Sequence, residues 1–199
     1  MGMNVILDIT GSIIVGGLVL LMMYRLNAQS TSNLYNISSE LNVQLSITSV
    51  VHVMESDFRK IGYCKDWTKI DDPTKSIIYA DTSKIKFLTD VDNDEIVDTL
   101  TYFLGPTSEL TSTPNPRDRL LYRVVNDETP KSSNVGITLF KLTYFDVLGN
   151  ELSTPVYPPG LIHTIQIDVQ VENAEPMDSV YTTAFWRQIK LSSKNLQNR

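Results

Sequence analysis

Hydrophobic and polar positions change period along this chain, and each period predicts a different element. From Met3 to Tyr24 the residues are almost all apolar, Val5-Ile6-Leu7 and then Ile9 to Tyr24, with one carboxylate at Asp8. About 20 such residues at ~1.5 Å rise cross a ~30 Å hydrocarbon layer, so the run predicts a membrane-spanning helix. From Arg25 to Ile61 there is neither proline nor glycine, and Leu34, Ile37, Leu41, Leu45, Val51, Met54, Phe58 and Ile61 fall mostly three and four apart. That spacing predicts one apolar face of an amphipathic helix, stopped at Gly62. Nothing breaks the chain at Tyr24, so the two segments predict a single helix from about residue 4 to 61, roughly 85 Å long. Asn27, Ser30, Thr31, Ser32, Asn33, Asn36, Ser38 and Ser39 are weak helix formers, and a melted stretch there is the alternative.

Beyond Gly62 the period becomes two. Segments 76–80, 84–88, 99–104, 120–125, 136–145, 162–171 and 181–191 are rich in β-branched and aromatic residues, and Ile165, Ile167, Val169 and Val171 alternate cleanly. Turn-forming residues separate them, among them Asp71-Asp72-Pro73, Asp92-Asn93-Asp94, Gly149-Asn150 and Pro158-Pro159-Gly160. A long N-terminal helix followed by strands predicts an α+β fold, the helix packed on a mostly antiparallel β-sheet. The predicted parts are a membrane-spanning helix over 1–26, its amphipathic continuation over 27–62 and a β-rich globular domain over 63–199 with a polar tail from Ser192.

Composition narrows the function. The 199 residues carry a net charge of −6 and no basic stripe, which argues against a nucleic-acid partner. Cys64 is the only cysteine, so no internal disulfide forms. A cleavable secretory signal competes with the anchor, but it would need basic residues before the apolar run and a small-residue cleavage site, whereas Tyr24-Arg25-Leu26-Asn27 follows it. Retention of the helix is the expectation.

Candidate chemistry is sparse. Asp8 inside an apolar helix is costly and predicts either a basic partner at the same depth or a place in the headgroup layer. Gly11, Ser12, Gly16 and Gly17 are the small residues that let helices approach closely in lipid, and they are also ordinary in membrane spans. Asp90, Asp92, Asp94 and Asp98 are candidate oxygen ligands of a weak calcium site, the sole cofactor considered, although Glu95 stands where such a loop prefers glycine. The other reading of the same residues is a polar hairpin turn. His52 and His163 accompany no nucleophile elbow, zinc motif or phosphate loop, so no enzyme is expected. On the last strand, Tyr181 and Trp186, near Phe185, Arg187 and Lys190, are either a sugar- or peptide-binding strip or half core; core is the expectation.

Three segments together resemble pilin-like proteins, in particular the J-type minor pseudopilins of type II secretion and the W-type minor pilins of type IV pili. Glu55-Ser-Asp57-Phe-Arg59-Lys-Ile-Gly62-Tyr63 is similar to the family's ending of the long helix; Lys84 to Gly105 to its strand, acidic turn and Asp-Thr-x-x-Tyr strand; Tyr181 to Leu196 to its closing strand. The resemblance implies a non-enzymatic minor subunit of a membrane-anchored filament or secretion machine. Its partners are then other pilin-like subunits and the membrane. The anchor would cross the inner membrane once, with the globular domain periplasmic or extracellular, and Asp8 would replace the family's intramembrane glutamate. The N-terminus departs from the family's processing signature: a cut after Gly2 makes Asp8 the sixth mature residue, and a cut after Met3 makes it the fifth but loses the glycine. Arg25, with no basic residue before the span, points by the positive-inside rule to a cytoplasmic domain instead. A membrane-tethered binding module for calcium, glycan or peptide is the alternative from a different class, and an anchored enzyme is a third.

Overall fold

The computed structural model describes residues 2–126, 128–176 and 180–192. The chain forms two compact units, residues 1–39 and 40–199. Helix α1, Gly2–Arg59, supplies all of the described first unit and opens the second. The predicted end at Gly62 is met within three residues: Lys60 and Ile61 turn out of the helix, and Gly62 takes a left-handed φ of 70°. The polar stretch 27–39 is helical, not melted. Within it the Thr31 hydroxyl donates to the Asn27 carbonyl one turn back, so this side chain finds its partner inside the helix.

In the first unit the apolar side chains from Val5 to Leu26 are exposed all round, and this stretch is long and apolar enough to cross a bilayer. In the second unit Val43, Ile47, Val51, Met54 and Phe58 are buried, at spacings of four, four, three and four. Burying five such side chains contributes on the order of 10 kcal/mol before chain entropy is charged against it. This corrects the predicted face. Val51, Met54, Phe58 and Ile61 belong to the core, but Leu34, Ile37, Leu41 and Leu45 are 56–67% exposed. At 3.6 residues per turn these four leucines and isoleucines lie roughly 120° round the helix from the buried stripe. The three- and four-residue spacing had joined two separate stripes into one.

The remaining chain of the second unit folds into eight strands: β1 Ile77–Ala80, β2 Lys84–Thr89, β3 Asp98–Leu104, β4 Arg119–Val125, β5 Lys131–Phe145, β6 Glu151–Leu152, β7 Thr164–Glu172 and β8 Thr183–Leu191. They form one antiparallel sheet in the order β1-β2-β3-β4-β5-β7-β8, with β6 paired to β5. The first third of β5 and all of β6 were not predicted, because Lys131-Ser-Ser-Asn134 is polar and β6 is two residues long.

The sheet curls so that its early strands reach β5. Leu142 N–H donates to the Thr82 carbonyl and the Tyr144 hydroxyl to the Asp81 carbonyl, while Val156 N–H donates to Ala80. Ile165, Ile167, Val169 and Val171 of β7 face the core together with Phe87, Leu100, Phe140 and the buried helix stripe. Alternation therefore places Asp168, Gln170 and Glu172 on the opposite face of the sheet. Residues 193–199, which complete the predicted polar tail and include Leu196 of the closing-strand resemblance, lie outside the described residues.

Candidate functional site

Asp8 is an exposed residue among exposed Val5, Ile9 and Ile13, and with Ser12 these line a shallow hollow on the helix surface. Ser12 donates its hydroxyl to the Asp8 carbonyl at 2.8 Å, and Thr10 donates to Ile6 at 2.7 Å, so both hydroxyls are satisfied within the helix. A Cβ added at Gly11, Gly16 or Gly17 meets nothing within 4 Å. The helix's own fold thus places no demand on these three glycines beyond tolerating them. Ser12 and Gly16, four apart, share a face next to that of Asp8, which leaves a small-residue strip open to a neighbouring helix.

The acidic loop lies between β2 and β3, which pair antiparallel from Lys84–Phe103 to Thr89–Asp98. It brings one carboxylate oxygen each of Asp90, Asp92 and Asp98 within 4.8 Å of one another; Asp94 is not part of this group. Most of these oxygens already have work. Asp90 is fully buried, and its carboxylate accepts from the backbone N–H groups of Lys65, Asp94 and Glu95. Burial pushes its pKa up, but the backbone donors outweigh that and hold it below the ordinary carboxylate range. Asp98 accepts from Val91 N–H and from the Asn126 amide, and Asp94 from Ile96 N–H. Two cations invisible in the local sequence also arrive, Lys65 on Glu95 at 2.8 Å and Lys60 on the Val91 carbonyl at 3.1 Å. Glu95 takes the left-handed φ of 72° that calls for glycine. The geometry is that of a loop closed by its own aspartates, as a polar hairpin requires.

The site sequence reasoning missed is a buried polar clamp between helix and sheet. Asp57, near the end of α1, accepts from the Tyr102 hydroxyl of β3 at 2.5 Å and from Arg123 Nε of β4 at 2.7 Å, with a second guanidinium bond at 3.3 Å. Burial first, then the Asp57 carboxylate, push the Tyr102 phenol far above its ordinary pKa, so it stays a donor. Phe58 packs beside the clamp with ring centroids 5.5 Å from Phe87 and 5.6 Å from Tyr102. The signal was present as Asp57 in the Glu55-to-Tyr63 segment, but its partner is 66 residues away. Next to it, Val50, Val53, Leu121 and Val135 wall a groove of about 320 Å³ that also carries Arg123 and Lys131.

On β8, Trp186 packs against the core, as expected, while Phe185 is half exposed with the Arg187 guanidinium 5.3 Å from its ring centroid. Arg187 is tied to Asp168 across the strand pair at 2.6 Å, and Tyr181 stacks under Arg117 at 4.9 Å. The side chain of Lys190 lies outside the described residues. His52 is exposed on α1, and His163 precedes β7, its N–H donating to Phe145. The chain matches no protein-family model, no curated protein and no solved structure.

Proposed function

We propose that this chain is a membrane-anchored structural subunit, of the minor pilin or pseudopilin kind, that assembles side by side with other pilin-like subunits through α1. The observation that supports it is the apolar surface α1 leaves unused: every large apolar side chain from Val5 to Leu26 is exposed, and so are Leu34, Ile37, Leu41 and Leu45 further along the helix. Lipid accounts for the first region but not for residues that continue past it. In this reading the span crosses the inner membrane with the sheet domain periplasmic or extracellular, Ser12 and Gly16 allow close helix approach, and Asp8 pairs with an amine or basic group of a neighbour in the lipid. The test is photo-crosslinking in native membranes from Gly16→Cys carrying a benzophenone maleimide in a Cys64→Ala background, with the adduct identified by mass. An adduct with a second apolar-helix chain supports the reading; a chain that remains uncrosslinked at Gly16 while inserted contradicts it.

A further inference from the structure

Strand β5 outruns one of the two strands beside it. Its ladder to β4 sets Lys131, Ser132 and Ser133 opposite Arg123, Tyr122 and Leu121, whereas its ladder to β7 begins only at Ile137, opposite Val171. β7 stops at Glu172, one residue past that pair. Among the described residues, 131–135 are therefore paired along one edge alone. Successive residues of an antiparallel strand direct their backbone groups to opposite edges, so this short segment turns a row of N–H and C=O groups to its open side.

The same segment walls the groove of about 320 Å³ next to the Asp57 clamp. Cross-strand partners share a face, so Lys131 stands on the face of Arg123 and Ser133 on that of Leu121. Val135, two residues on, follows them and packs against the core. Across the groove stand Val50 and Val53 of α1, Val53 still 47% exposed. The space is roughly twice the ~150 Å³ apolar cavity that takes up one benzene, enough for two apolar side chains. Its two cations differ: Arg123 is spent on Asp57, while Lys131 is exposed and forms no ion pair among the described residues.

An open row of backbone donors and acceptors is matched by another peptide backbone, and an apolar groove beside it selects the side chains that backbone carries. We propose that residues 131–135 and this groove bind an extended segment of a partner protein, which adds to β5 as a further antiparallel strand, places two alternate apolar side chains in the groove and sets a carboxylate on Lys131. A second copy of this chain is the poorer occupant. Pairing β5 with β5 about Ser133 would bring another Lys131 opposite Val135, a third cation in a groove that already holds two. The site shares no residue with the exposed apolar surface between Val5 and Leu45, and it does not depend on assembly through that surface.

The test uses the full chain in lipid nanodiscs and a fluorescein-labelled peptide, Thr-Val-Thr-Leu-Thr-Glu-Thr. In antiparallel register its Val and Leu fall opposite Val135 and Ser133, and its Glu opposite Lys131. Polarisation titrations are expected to show saturable binding that weakens about tenfold or more when the peptide's Glu becomes Lys. Lys131→Glu should reverse that preference and keep the parent's unfolding midpoint. Backbone N-methylation separates strand addition from apolar adhesion: methylating one alternate set of peptide residues should abolish binding, and methylating the other set, which faces away from β5, should leave it. No saturation up to about 1 mM, equal effects of the two methylated sets, or indifference to the exchange of Glu for Lys each overturn the proposal. So does a parent that is a dimer with the amides of 131–135 protected from hydrogen exchange, because the open edge is then filled by a second copy.

Discussion

Asp57 Oδ2 lies 2.7 Å from Arg123 Nε, a carboxylate of α1 against a guanidinium of β4, with the Tyr102 hydroxyl on the same oxygen. The Asp57 side chain is 11% exposed and that of Arg123 24%, so water screens the pair only in part. Removing one partner strands the other in a largely dry place. Arg123→Ala is expected to cost about 2–4 kcal/mol, somewhat under the full cost of breaking a buried pair, and Tyr102→Phe about 1–2 kcal/mol for one charge-assisted bond. Thermal or denaturant unfolding of the full chain measures both, and a change below half a kcal/mol for Arg123→Ala would show that the clamp does not hold the helix on the sheet.

Gly136 sits in β5 at a φ of 76°, and a Cβ there would come within 2.1 Å of the Glu172 carbonyl oxygen. Backbone, not a flexible side chain, is in the way. Gly136→Ala should destabilise by more than about 2 kcal/mol, whereas Gly149→Ala, at a φ of 84° but with open space, should cost about 1 kcal/mol. Comparing the two unfolding midpoints separates contact from conformation.

The Asp90 carboxylate closes its loop through backbone donors, and its lowered pKa fixes the sign of its pH dependence. Its stabilisation is present above the unfolded value near 3.9 and is lost as pH falls through the folded one. The protection factors of the Lys65, Asp94 and Glu95 amides, which are referred to the intrinsic exchange rate at each pH, should fall on acidification and in Asp90→Asn. With those oxygens committed, calorimetry on the full chain should find no calcium binding tighter than about 10⁻⁴ M; micromolar affinity would mean that the loop opens to take a metal.

The two exposed and buried stripes of α1 make opposite predictions. Met54→Ala should cost about 2–4 kcal/mol of fold stability. Leu41→Glu and Leu45→Glu should leave the unfolding midpoint within about 0.5 kcal/mol of the parent and weaken crosslinking to neighbours. If Leu45→Glu unfolds the domain, the stripe belongs to the core after all.

Much of this fold is legible because period and turn chemistry are local. The helix, its stop near Gly62 and seven of the strands follow from spacing, β-branching and Asp, Asn, Gly and Pro at the turns. What was not legible depends on partners far along the chain. Leu41 and Leu45 have the same spacing as Met54 and Phe58, and only the sheet's position shows which stripe it covers. The Asp57 clamp and the Lys60 and Lys65 cations of the acidic loop each join residues that no local window contains together.

The central claim is assembly through α1, and Asp8 tests it most directly. Benzophenone-labelled Gly16→Cys chains in a Cys64→Ala background, with and without Asp8→Ala, are to be photo-crosslinked in native membranes and the yield of adduct with a second apolar-helix chain compared. Loss of a charge partner in a low-dielectric setting costs about 3–5 kcal/mol, more than a hundredfold in an association constant. The account predicts that Asp8→Ala inserts, keeps the parent's unfolding midpoint and yields almost no adduct. Equal yield from the two chains would contradict it.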